Sequence, residues 1–131
     1  MSIIPSSRRA FTLVEIMIVV AIIALLASMA VPNFLRARKR SQAVRILEDL
    51  RMLDSAQDQY AIENNKTTGA KSSFSDLRAY LKTGSVLYTT GDDIFGDSYG
   101  PFTVGARPSV PANTARKLSD VAGPEFWSPF Q

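Results

Sequence analysis

The sequence predicts an α+β fold: one long N-terminal α-helix, membrane-spanning in its first half and amphipathic in its second, packed against a small antiparallel β-sheet with an irregular C-terminal tail. Three observations carry this expectation. Phe11 to Leu35 is a 25-residue apolar run whose only charge is Glu15. Apolar residues then recur every three or four positions as far as Ala61, the period of one helix face. Beyond Asn64-Asn65 the pattern breaks into short segments separated by Gly, Pro, Asp and Ser, too brief for another long element.

The first element is long enough to cross a bilayer. At about 1.5 Å per residue it covers roughly 37 Å as a helix, more than a hydrocarbon core of about 30 Å. A carboxylate near the start of such a helix costs a few kcal/mol, so Glu15 calls for a cationic partner. Cutting the chain between Ala10 and Phe11, four residues earlier, would create an amine suited to that role, in the same subunit or a neighbour. Pro32 removes one helical hydrogen bond and is expected to kink or loosen the helix. The period resumes beyond it with Ala43, Ile46, Leu47, Leu50, Leu53, Gln57, Tyr60 and Ala61 on one stripe, and with Glu48, Asp49, Arg51, Asp54 and Asp58 on the other faces. Asn64-Asn65 and Thr67-Thr68-Gly69 supply the stop.

In the remainder, Phe74 to Leu81 reads as a short helix, with capping-box spacing from Ser73 to Asp76 and a stop at Gly84. Val86 to Thr90 and Phe102 to Val104 read as strands, joined by a turn-rich stretch from Gly91 to Gly100. From Gly105 onward Pro108, Pro111, Pro124 and Pro129 suggest an irregular wrap, with Phe126, Trp127 and Phe130 docked on the domain.

Composition narrows the chemistry. The net charge of +3 resides in the N-terminal third, since residues 41–131 carry nine basic and eleven acidic groups. No basic face suits a phosphate backbone, and nucleic-acid binding is not expected. Cysteine and histidine are both absent, which removes disulfides, thiolate nucleophiles, histidine-dependent triads and the usual zinc sites. No phosphate-binding Gly loop is present either, so an enzyme is not expected. Asp92, Asp93 and Asp97 are hard oxygen donors of the kind calcium takes, although the EF-hand order is missing and a solvated turn explains them as simply.

The stretch Arg8-Arg9-Ala10-Phe11-Thr12-Leu13-Val14-Glu15-Ile16-Met17 resembles the cleavage and methylation motif of type IV pilins and type II secretion pseudopilins. The resemblance extends from about Arg8 to Asn65, with Ala10 standing where the family usually has Gly. It implies a pilin-like fold, a leader of residues 1–10, an assembly helix half of residues 11–35, and an exported head of residues 36–131. It further implies cleavage between Ala10 and Phe11 by a prepilin peptidase, N-methylation of Phe11, and assembly roles for Glu15 and Pro32. The implied partners are other pilin or pseudopilin subunits in a homo-oligomeric filament, an inner-membrane assembly platform and membrane lipid. The Asp-rich turn is similar, at Asp93, Phe95, Gly96 and Tyr99, to a stretch of the major pseudopilins near a loop that can hold calcium, which implies Asp92, Asp93 and Asp97 as candidate calcium ligands.

Charge bias points the other way on topology. Four Lys or Arg residues follow the span and two precede it, which alone would keep the C-terminal part in the cytoplasm. The resemblance implies export of that part, with the chain anchored once in the inner membrane. The function expected is a major-pseudopilin-like subunit of the type II secretion pseudopilus. A type IV pilus subunit for adhesion or motility is the alternative. A different class of reading makes Arg8-Arg9 and Ile16 to Leu26 a secretory signal, cut after Ala30 to release a soluble binding domain.

Overall fold

The computed structural model describes residues 10–131; most of the expected leader, residues 1–9, lies outside the described residues. The chain falls into two compact units, Met1–Leu35 and Arg36–Gln131. Helix α1, Leu13–Glu63, runs unbroken through 51 residues, including Pro32. It ends where expected: Asn65 takes a left-handed φ of 49°, and the Lys66 amide turns back to the Ala61 carbonyl at 2.9 Å.

In the unit Arg36–Gln131 the expected stripe forms the core. Ala43, Ile46, Leu50, Leu53 and Ala56 of α1 are buried against Leu77, Leu87, Tyr99, Phe102, Leu118, Trp127 and Phe130. Asp49 differs from the expectation. It is not on a solvated face but buried among these residues, where the Tyr99 hydroxyl donates to its carboxylate at 3.1 Å. Burial pushes the Asp49 carboxyl above its usual 3.8, although the Tyr99 bond and the Arg45 charge oppose this. Burial, together with the neighbouring Asp49 charge, raises the Tyr99 phenol as well.

The short elements are arranged differently from the sequence expectation. Strand β1, Lys71–Ser72, follows the stop of α1 and pairs antiparallel with β2, Phe102–Thr103, matching Lys71 to Thr103 and Ser72 to Phe102. Two residues are too few to show a period of two. Gln57 on α1 donates to the Thr103 carbonyl and, at 3.3 Å, to that of Ala106, tying this ribbon to the helix. Helix α2, Phe74–Leu77, and a 3₁₀ turn, Arg78–Tyr80, occupy the expected helical segment. Its capping box is formed, with the Ser73 amide donating to Asp76 at 2.9 Å.

Val86–Thr90 is helix α3, not a strand. The Ser85 hydroxyl accepts from the Tyr88 amide at 3.0 Å, and Gly91 closes the far end at φ 75°. Those two caps outweigh the β preference of Val, Tyr and Thr, which reflects packing on a sheet more than backbone bias. A Cβ at Gly91 would lie 2.8 Å from the Phe74 ring, so this position needs glycine for both φ and space. The tail is also less irregular than expected. Helix α4, Ala112–Lys117, follows Pro111, and helix α5, Pro124–Trp127, has proline in its first turn. Proline suits a helix start because the first amides have no acceptor anyway. Trp127 and Phe130 are docked, with the indole N–H donating to the Ala122 carbonyl at 3.2 Å.

Two outcomes are expected from this packing. Leu50→Ala should cost about 2–5 kcal/mol, read by urea denaturation of the full chain in micelles, because Leu50 is wholly buried. Acid should also weaken the fold. Hydrogen bonds from Ser73 hold Asp76 below 3.8, those from Asn113 and Lys117 do so for Asp97, and that from Lys39 for Asp120. A depressed carboxyl stabilises the fold above its unfolded value, and that contribution disappears as pH falls through the folded value. Asp49, with its raised value, acts in the opposite sense. Thermal melts should therefore show Tm falling below about pH 4, and Asp76→Ala should flatten that fall.

Candidate functional site

Thr12 and Glu15 start helix α1 as a reciprocal cap. The Thr12 amide donates to Glu15 Oε2 at 2.8 Å, and the Glu15 amide donates to Thr12 Oγ1 at 3.2 Å. This is the capping-box arrangement, Thr at the cap and Glu three residues on. The spacing Thr12-Leu13-Val14-Glu15 carries this signal in the sequence, although Thr12 has no charge to mark it. The box also changes how Glu15 is understood. Its carboxylate accepts a backbone amide and sits at the positive end of the helix macrodipole, both of which offset part of the cost of placing a charge in lipid.

Ala10 and Phe11 precede the helix and are exposed, so the Ala10–Phe11 bond lies in non-helical backbone. From Leu13 the large apolar side chains are exposed on every side of α1, at 79% for Leu13 and still 50% for Leu35. By length and composition this part of α1 is able to cross a membrane. Ser28 is tied locally, its hydroxyl donating to the Leu25 carbonyl at 2.6 Å. Pro32 lies within the helix and no break occurs there.

A family model for the prokaryotic N-terminal methylation motif matches residues 5–31. That motif marks the N-terminal segment as prepilin-like, and the curated proteins it is similar to are type IV pilins and type II secretion pseudopilins. Type II secretion system core protein G of Klebsiella michiganensis is 38% identical over 60 residues, 46% of this chain and 42% of that protein. The type IV wide pilus major component of Thermus thermophilus is 39% identical over 83 residues, 63% of each chain. The type IV major pilin of Myxococcus xanthus is 43% identical over 59 residues, 45% of this chain and 27% of that protein. The chain thus matches about two fifths of the length of the secretion relative, and more of the wide-pilus one. No solved structure is significantly similar to it.

The second group of expected site residues lies in the turn after α3. Asp93 is buried: one oxygen accepts the amides of Phe95 at 2.8 Å and Asp97 at 2.9 Å, and the other accepts the Thr114 hydroxyl. Asp97 accepts from Asn113 and from Thr114 and Lys117, at 3.2, 3.1 and 3.2 Å. Asp92 enters through its backbone, in an antiparallel bridge to Ser98. The donor set does not fit calcium. Calcium takes six to eight oxygens at 2.3–2.6 Å, whereas here the carboxylates face N–H, O–H and ammonium donors. Among the described residues no three acidic, His or Cys side chains converge on a metal position.

Removing the cap tests the local role of Thr12. Thr12→Val should speed exchange of the Glu15 amide by roughly 2- to 30-fold, the equivalent of about 0.5–2 kcal/mol for a lost cap. Hydrogen–deuterium exchange of the chain in micelles reads this, and unchanged protection at Glu15 would show that the cap does not hold the helix end.

Proposed function

We propose that this chain is the structural subunit of a helical filament, a major-pseudopilin-like component of a type II secretion pseudopilus that supports protein export. The observation that carries this reading is the first part of α1: apolar on all sides, exposed throughout, and headed by a capped carboxylate. A surface of that kind needs lipid or other apolar helices around it, because water would leave it unburied. A filament supplies the second environment by bundling the same segment from many copies.

The sequence of events follows from the parts. The chain inserts once in the inner membrane, with residues 36–131 exported. Prepilin peptidase cuts between Ala10 and Phe11, and the new Phe11 amine is methylated. An assembly platform then moves the helix from lipid into a bundle with sister subunits. The change brings little hydrophobic gain, so packing and polar contacts select the register. Glu15 supplies one such contact by taking the Phe11 amine of a neighbour, and an unpaired carboxylate in the bundle is heavily penalised. Pro32 gives the helix a point at which to adjust. The role is mechanical rather than catalytic.

A type IV pilus subunit is the second reading. It is supported by the wide-pilus relative, whose 83-residue match is longer than helix α1. The secretory alternative, with cleavage after Ala30, has less support. Ser28 to Val31 lie inside α1, and that cut would discard the capped Thr12–Glu15 start.

Intact mass of the protein recovered from membranes tests processing: a chain beginning at Phe11 and about 14 mass units heavier is expected. A chain beginning at Val31 would replace this reading with ordinary secretion. Glu15→Ala should leave membrane insertion intact and reduce sheared-filament yield by at least about tenfold, the scale of an unpaired buried charge. Normal yield would remove Glu15 from assembly.

A further inference from the structure

Helix α4 presents three polar side chains to the Asp-rich turn: Asn113, Thr114 and, one turn on, Lys117. All three donate, and all three meet Asp93 or Asp97. The Lys117 ammonium lies 3.2 Å from Asp97 Oδ2 and 5.0 Å from the centre of the Phe95 ring. It is thus held between a carboxylate and an aromatic face, both of which attract a cation. Thr114 is wholly buried and its hydroxyl is shared between Asp93 and Asp97.

We infer that Lys117 closes this turn in place of a bound cation, so the C-terminal unit holds its fold without calcium. The inference goes against what the family resemblance implies for Asp92, Asp93 and Asp97, and it rests on the donor arrangement. A calcium ion here would have to displace the Asn113, Thr114 and Lys117 donors from Asp97. It would then face the displaced ammonium at short range, like charge against like charge. Asp93 offers no better prospect. Its two oxygens already accept three protein donors from a buried position.

The arrangement also assigns α4 a task. Its six residues form too short a helix to persist alone. The contacts to Asp93 and Asp97 pin it to the turn, and Leu118, directly after it, is buried in the core. A side-chain cation delivered by the same chain makes this pinning independent of the supply of divalent cations. It remains sensitive to ionic strength, since Lys117 is half exposed.

Thermal melts of the full chain in detergent micelles test the inference. In EGTA and in millimolar calcium chloride the wild-type Tm should agree to within about 1 °C, because a ligand that does not bind the fold cannot stabilise it. Lys117→Met should lower Tm by about 2–6 °C at low salt, and Lys117→Arg should restore most of the loss. A wild-type Tm that falls in EGTA or rises with calcium would overturn the inference, and this arm needs no variant. So would a Lys117→Met protein that melts like wild type. Filament assembly enters neither arm, so failure here is separable from failure of the pseudopilus reading.

Discussion

A helix that is apolar around its whole circumference cannot be satisfied by one neighbour. That constraint governs the N-terminal half of α1. An amphipathic helix buries one stripe and leaves the rest to water, as the stretch from Ala43 to Ala56 does. Between Leu13 and Leu35 no polar face exists to turn outward. Its surroundings must therefore be apolar on every side, first lipid and then, in the reading proposed above, copies of itself. The change in pattern near Arg36 is what allows one continuous helix to live in two solvents.

The Arg36–Gln131 unit meets a different limit, that of size. Its helices after α1 are four to six residues long and its sheet has two strands of two residues. Elements so short have little stability of their own, so side chains join them to α1 and to one another. Two buried carboxylates act as such joints. Asp49 receives the Tyr99 hydroxyl, bringing the turn-rich loop to the helix, and Asp93 receives Thr114, bringing α4 to the same loop. A buried acid that meets a fixed donor specifies position, and each would be costly if that donor were removed. With no cysteine available for a disulfide, these bonds and the docked Trp127 and Phe130 hold the C-terminal segment.

Long-period features were legible in the sequence, and short capped ones were not. Helix α1, its stripe, its end at Asn64-Asn65 and the α2 capping box all follow from patterns that repeat or from a local motif. Asp49 was misplaced because a charge on a helix is solvated by default, and its partner Tyr99 stands 50 residues away. Val86 to Thr90 read as a strand because residue type was weighed before the caps, although Ser85 and Gly91 bracket it as they would a helix. Pro111 and Pro124 suggest irregular chain by residue type, yet each stands at a helix start. At the N-terminus Glu15 was found through its charge. Thr12, which fixes where that charge sits, carries no charge and so gives a weaker signal. The three aspartates of the turn were found as oxygen donors, but the lysine that meets one of them lies 20 residues on.

Pro32 leaves a mark on the backbone that its side chain does not reveal. Having no amide hydrogen, it cannot bond the Ser28 carbonyl, which every other residue type four positions on would do. The Ser28 hydroxyl is already committed to Leu25 and, being a donor there, does nothing for its own carbonyl. The Ser28 carbonyl thus loses its usual helical donor inside a segment that is otherwise largely apolar. In hydrocarbon such a group draws in whatever donor is nearest, a water molecule from the interface or a hydroxyl on an adjoining helix. The segment is therefore not a uniform greasy rod: besides the capped Glu15 it carries a hydrophilic notch at Ser28, whose depth along the helix axis gives neighbouring chains a height mark.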